Sequence, residues 1–225
     1  MTATIVREGH IPRRLSTSFG GEATLKPIGN VPGVALYSLR GDRNVGVQLK
    51  TKLDYDDYRL IPADGKRYEL IDGRLHVTPA PSPLHQRVSK RLQRLLEAHF
   101  EASGRGEVFD APIDVILTRN DVLQPDLVVV TNPDLVTARA IEGAPLLVVE
   151  ILSPSTADYD RVIKAERYAA LGITHYWVVS PETRTIECFR RHENTYQLVA
   201  DFGASDTLTH PDFPELHLSL SALWR

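Results

Sequence analysis

The sequence predicts an α/β (α+β) fold, with a central mixed β-sheet flanked by helices and core elements in the order helix, three strands, helix, strand. Three observations lead there. Leu84, Val88, Leu92, Leu95, Leu96 and Phe100 recur at helical spacing behind Ser82-Pro83, a serine N-cap with proline in the first turn. Two apolar runs, residues 123–130 and 146–152, read as strands covered on both faces. Between the second run and a further buried strand at 176–179 lies a helix at 158–171, which Gly172 ends in the left-handed conformation. A helix between two strands implies a crossover connection, and hence a mixed sheet with helices on its faces.

The other elements follow in chain order. Residues 1–50 differ from the rest, with scattered Gly and Pro and seven Lys/Arg against three Asp/Glu. They form an N-terminal extension, either a flexible basic arm or short strands at 31–39 and 45–49, while residues 51–225 make the main domain. Residues 54–60 read as a short helix and 67–78 as two strands around an Asp72-Gly73 turn. Residues 108–117 supply the first of the three core strands, and 185–191 with 196–202 alternate like a hairpin. The last residues, with Pro211 and Pro214, wrap the surface before 216–224 docks.

Composition narrows the function. At 225 residues, with 42% hydrophobic and 24% charged residues, the chain has the make-up of a globular protein with a full core. A net charge of −3 means that any nucleic-acid contact must come from local basic patches. The single cysteine, Cys188, excludes an intrachain disulfide and a multi-cysteine zinc site. No apolar run approaches the roughly 18 residues that span a bilayer, and no leader pattern opens the chain, so a cytoplasmic protein without membrane contact is expected. Walker, HExxH, GxSxG and CxxC motifs are absent.

Chemistry concentrates on two carboxylates. Glu150 sits inside Leu146-Leu147-Val148-Val149-Glu150-Ile151-Leu152, where every neighbour is apolar, and strand alternation puts it on the side of Leu146, Val148 and Leu152. A buried carboxylate costs several kcal/mol, roughly, unless it is paired, hydrogen-bonded or bound to a cation. Glu150 is therefore either half of a buried ion pair or a functional ligand. Asp126 follows Pro125, which suits a strand start, and precedes Leu127-Val128-Val129-Val130. It either caps backbone amides in the turn or, if its strand neighbours that of Glu150, shares a hard cation with it. Asp114 alternates with apolar neighbours on the preceding strand, facing either this cleft or the surface. His85, at a helix start, either contacts phosphate or packs. Arg87, Lys90, Arg91 and Arg94 fall at i, i+3, i+4 and i+7, a stripe that either follows phosphates or is a solvated helix face.

The segments Tyr68-Glu69-Leu70-Ile71-Asp72-Gly73, Ser82-Pro83-Leu84-His85-Gln86, Gln124-Pro125-Asp126-Leu127, Val149-Glu150-Ile151-Leu152-Ser153-Pro154-Ser155-Thr156 and Tyr176-Trp177-Val178-Val179 together resemble the Uma-two family of restriction endonucleases, in the PD-(D/E)XK nuclease superfamily. The resemblance covers residues 52–225 and implies a restriction-endonuclease-like core, with Asp126 and Glu150 as metal ligands and Glu69 as a third acidic member. It implies Mg²⁺, with Mn²⁺ as a substitute, a nucleic-acid substrate, DNA above all, and a homodimer where both strands are cut. One position departs from the superfamily pattern. A lysine two residues after the glutamate would share its face and could orient water and offset phosphate charge, but here that residue is Leu152. The family resemblance puts the lysine on the following helix, at Lys164, with Asp160 one turn earlier. Without it, the pair would read as a surface i,i+4 contact. Glu69 without it is an exposed hairpin carboxylate.

These readings converge on a Mg²⁺-dependent endodeoxyribonuclease in which Asp126, Glu150, Glu69 and Lys164 are catalytic. A nuclease-fold protein that binds nucleic acid or a protein partner without cutting is the alternative. A metal-dependent hydrolase of smaller phosphorylated substrates is a third reading.

Overall fold

The two apolar runs become neighbouring antiparallel strands, Leu127–Val130 and Leu147–Ile151, in register Leu127↔Val149. They lie inside a six-stranded sheet, ordered Glu107–Asp110, Leu127–Val130, Leu147–Ile151, His175–Ser180, Thr185–His192 and Thr195–Phe202. Only Leu147–Ile151 and His175–Ser180 run parallel, joined by the helical crossover. Because strands alternate faces, Leu127, Val129, Leu147, Val149, Trp177 and Val179 pack with Val88, Leu92, Leu96 and Phe100 of the Pro83–Phe100 helix. On the other face Val148, Tyr176 and Val178 meet Tyr168 and Ile173, and Val128 and Val130 meet Val115 and Ile141. Burial on both sides is why these strands are apolar throughout.

The computed structural model describes residues 15–16, 22–23, 25–31, 34–39, 52–61, 64–154 and 159–225. The chain divides into two compact units, Met1–Thr51 and Lys52–Arg225. In the first, Leu15–Ser16 pairs with Glu22–Ala23 and Leu25–Val31 with Val34–Leu39, both antiparallel. Residues 45–49, where a second strand is expected, and 155–158, where the sequence expects the turn into the helix, lie outside the described residues.

The expected first core strand, 108–117, is divided. Glu107–Asp110 joins the central sheet, whereas Val115–Thr118 enters a five-stranded sheet ordered Ile141–Glu142, Val115–Thr118, Asp121–Leu123, Arg67–Ile71, Arg74–Thr78. The break falls at Ala111-Pro112, where proline offers the ladder no N–H. Gln124-Pro125 likewise separates Asp121–Leu123 from Leu127–Val130. The Asp72-Gly73 turn closes its hairpin with both residues at positive φ, 48° and 74°, as such two-residue turns require. Ser82 caps the long helix by accepting the His85 N–H at 3.2 Å. The crossover opens as a π-helix, Tyr159–Lys164, before the α-helical Ala165–Ala170. At the C-terminal end Pro214 falls inside a strand, Phe213–Ser219, paired with Thr207–His210. The register shift between Thr209 and His210 leaves the proline outside the ladder.

A buried ion pair ties the second sheet to the crossover. Asp121 is fully buried, and both its oxygens accept from Arg167, each at 2.6 Å, with further bonds from the Asp72 N–H and the Thr118 hydroxyl. Burial alone would raise its pKa, but these donors outweigh it and hold it below the usual carboxylate range. Its contribution to stability is therefore present above about pH 4 and lost as pH falls through the lowered value. Arg167→Ala is expected to cost about 3 kcal/mol at pH 7, the scale of an orphaned buried charge, and denaturant melts across pH check both size and direction.

Candidate active site

Continuing the Leu127↔Val149 register by one residue sets Asp126 opposite Glu150, on the face of Val128 and Val148. Cβ atoms of such cross-strand pairs lie about 4.5–5.5 Å apart. Asp126 Oδ2 accepts the Ile151 N–H at 2.8 Å and lies 3.0 Å from His85 Nε2, and Oδ1 is 3.8 Å from an Arg67 guanidinium nitrogen. The helix cap thus has a second consequence, because fixing the first turn aims His85 at Asp126.

Glu150 Oε1 accepts the Tyr168 hydroxyl at 2.7 Å and Lys164 Nζ at 3.0 Å. Glu69 Oε1 lies 3.0 Å from the same ammonium and accepts the Gln124 N–H at 2.9 Å, while Oε2 accepts from Thr78 at 3.2 Å. Asp160 Oδ1 completes the group at 3.5 Å from Lys164. Glu69, Asp126, Glu150, Asp160 and Lys164 are all buried, the lysine only 4% exposed. They line one cavity of about 570 Å³ together with Arg67, His76 and His85.

Its electrostatics follow from that inventory. Among the described residues that line the cavity, four carboxylates face two fixed cations, Lys164 and Arg67. At Glu150 burial, joined by Asp160, Asp126 and Glu69, outweighs the Lys164 ammonium and holds the carboxyl pKa well above its usual range. Lys164 is pushed the other way by its carboxylates, which overcome its own burial and raise its pKa further. The buried carboxylates make an all-oxygen donor set that fits a hard divalent cation.

Asp126, Glu150, Glu69 and Lys164, named as candidates from sequence, are thus brought into one cavity. Leu152, where the superfamily lysine was missing, packs into the apolar cluster around Tyr168. Asp114 is turned elsewhere, accepting from Tyr58 and Gln124 at 2.9 and 2.8 Å. Arg67 and Tyr168 had not been singled out. His85, left open between packing and phosphate contact, instead supports Asp126. Its sequence signal is its place three residues before Val88 and seven before Leu92, on the buried helix face. Of the basic stripe, Arg87, Lys90 and Arg94 are exposed, while Arg91 donates to the carbonyls of Leu223 and Arg225. Lys90 borders an adjoining cavity of about 450 Å³ that shares Arg67, His85 and Asp126 with the first.

An α+β architecture whose central sheet is covered on both faces, with an acidic cleft beside its central strands, defines a protein of the restriction-endonuclease-like class. The Uma2 family model, described as "Putative restriction endonuclease", matches residues 55–221, and the chain belongs to this nuclease family. An uncharacterized protein from Synechocystis sp. (strain ATCC 27184 / PCC 6803 / Kazusa) is 31% identical over 146 residues, 64% of this chain and 76% of that protein. The fold is similar to the crystal structure of a "putative nuclease belonging to DUF820" from Anabaena variabilis, with TM-score 0.63 at 18% identity, over 76% of this chain and 97% of that one. Among the described residues no helix is long and apolar enough to cross a membrane.

Proposed function

We propose that the protein is a Mg²⁺- or Mn²⁺-dependent endonuclease that hydrolyses phosphodiester bonds in DNA. The observation that best supports this reading is the reach of Lys164. Although absent from the Glu150 strand, its ammonium lies 3.0 Å from both Glu150 and Glu69 in the cavity that Asp126 also lines. Asp126, Glu150 and Glu69 would hold the ion. When bound, it polarises a phosphoryl oxygen and lowers the pKa of the attacking water.

The remaining work falls to the side chains. Tyr168 fixes Glu150 through Oε1, and the Ile151 amide and His85 fix Asp126 through Oδ2. Lys164 must loosen its hold on at least one carboxylate as the cation enters. It can then donate to the attacking water or to a phosphate oxygen and offset the charge that develops there. Arg67, at the cavity wall, is placed to meet the phosphate on the side of Asp126. The binding-only reading draws on the same contact, since an ammonium between two carboxylates also satisfies a purely structural cluster.

The test is cleavage of single-stranded DNA, duplex DNA and RNA with Mg²⁺, Mn²⁺ or EDTA, beside Asp126→Ala. The proposal expects metal-dependent cutting of DNA that EDTA and the variant both abolish. Absence of cutting with every metal, or cutting that survives in the variant, contradicts it. The exposed stripe yields a separate expectation: Lys90→Glu with Arg94→Glu should weaken duplex binding equally for all sequences. The slope of log K against log salt should shrink by about 2 units, roughly 0.9 per lost phosphate contact. Fluorescence anisotropy at several salt concentrations measures it.

A further inference from the structure

We propose that His175, His210 and Asp212 form a second metal site, built for a zinc-class transition ion and separate from the acidic cavity. His175 opens the central strand His175–Ser180, opposite Leu147, three residues before Val178, which faces Glu150. Three residues of strand put the two places about 10 Å apart. His210 and Asp212 come from the C-terminal hairpin, the first ending one strand and the second lying in its turn.

Geometry and unmet bonding carry the proposal. One ligand atom from each of the three residues lies within 4.8 Å of the other two. Asp212 Oδ2 is 3.9 Å from His175 Nδ1 and 3.9 Å from His210 Nδ1. A tetrahedral ion at about 2.0–2.1 Å from its nitrogens needs ligand separations of roughly 3.4 Å, so each Asp212–histidine separation must shorten by about half an ångström, a movement available to a turn residue. His175 and His210 are 4% and 2% exposed, and His175 Nδ1, the nitrogen that faces Asp212, has no hydrogen-bond partner. Buried ring nitrogens ordinarily have one. The Asp212 amide now donates to His210 Nδ1 at 3.1 Å, a bond that coordination at that nitrogen would replace.

The surroundings are those of a ligated site. His175 and His210 meet edge to face at 5.1 Å, and Trp177 and Phe213 stack on His210, fixing the orientation of the rings. Arg190 Nε lies 2.8 Å from Asp212 Oδ2, holding the oxygen that faces the two histidines, and would have to yield it, or leave Oδ1 to serve, as an ion enters. Two imidazoles and one carboxylate, with a fourth position for water, suit Zn²⁺ rather than the all-oxygen cations Mg²⁺ and Ca²⁺. Bound there, the ion would pin the terminal hairpin to the first residue of the central strand.

Metal-stripped full-length protein is titrated with Co²⁺ and, separately, melted with Zn²⁺. The wild type and Asp126→Ala should each bind one Co²⁺ with the intense visible absorption of a tetrahedral site, and Asp212→Asn and His210→Gln should lose it. A hundredfold excess of Zn²⁺ over its dissociation constant should raise the wild-type Tm by roughly 5–10 °C, and leave Asp212→Asn unmoved. Asp212 is the half-exposed member, so a native circular dichroism spectrum for that variant separates lost ligation from lost folding. No tetrahedral band in the wild type, a band that persists in either ligand variant, or one that disappears in Asp126→Ala overturns the proposal.

Discussion

Glu150→Gln is expected to lower metal-dependent cleavage by at least about a hundredfold while leaving the protein as stable as the parent, or more stable, at pH 8. The first half follows from the role proposed for the carboxylate, since losing even an outer-sphere partner of a metal ligand costs 10–100-fold, roughly. The second half is a sign argument. The Glu150 pKa is raised in the folded state, first by burial. Such a group contributes stability fully below its unfolded value, near 4.5, and that contribution is lost as pH rises through the folded value. Ionising this buried side chain is what costs stability as pH rises, and the amide cannot ionise while it keeps an oxygen for the Tyr168 hydroxyl. Melts at pH 5 and pH 8 read this directly, because wild type should lose stability across the interval and the variant should lose less. A variant markedly less stable than wild type at pH 8 would make Glu150 half of a structural ion pair.

Lys164→Met should do the opposite to stability and the same to activity. Removing the ammonium leaves Glu69, Glu150 and Asp160 buried without their shared counter-charge. Loss of one partner from a buried ion pair costs about 3–5 kcal/mol, or roughly 6–20 °C in Tm at this chain length. The lysine pKa is raised, so its contribution is fully present below about pH 10 and is lost only as pH rises through the folded value. The deficit should therefore be full at pH 8 and shrink at lower pH, as Glu150 takes up a proton. Added Mg²⁺ should restore part of it, since a divalent ion replaces the lost positive charge. Equal stability of variant and wild type at pH 8 would mean that the carboxylates are not held as ions by Lys164.

The pattern of burial explains which parts of this were legible in the sequence. Asp126 and Glu150 stand out because each interrupts a run buried on both sheet faces, where any carboxylate requires a partner. Lys164 and Asp160 do not stand out that way. At i,i+4 on a short helical segment they look like a surface pair, and only the family resemblance pointed inward. Glu69 is buried because Gln124 and Lys164, 55 and 95 residues downstream, close over its hairpin, a non-local event that local alternation cannot report. The five-stranded sheet was hidden for a related reason. Residues 108–117 and 123–130 each read as one strand, though Pro112 and Pro125 mark where the chain changes sheets. Asp121, preceded by the polar Arg119-Asn120, gave no sign of its full burial under Arg167.

The central claim is that the Asp126–Glu150 cavity cuts DNA through a bound divalent ion. The rate of duplex cleavage at pH 8 against rising Mg²⁺ concentration, for wild type and for Asp126→Asn prepared identically, tests it most directly. A saturating curve in the wild type, with at least about a hundredfold lower rate in the variant at every concentration, is the expected result. Cleavage that is independent of metal, or two curves that coincide, would contradict it.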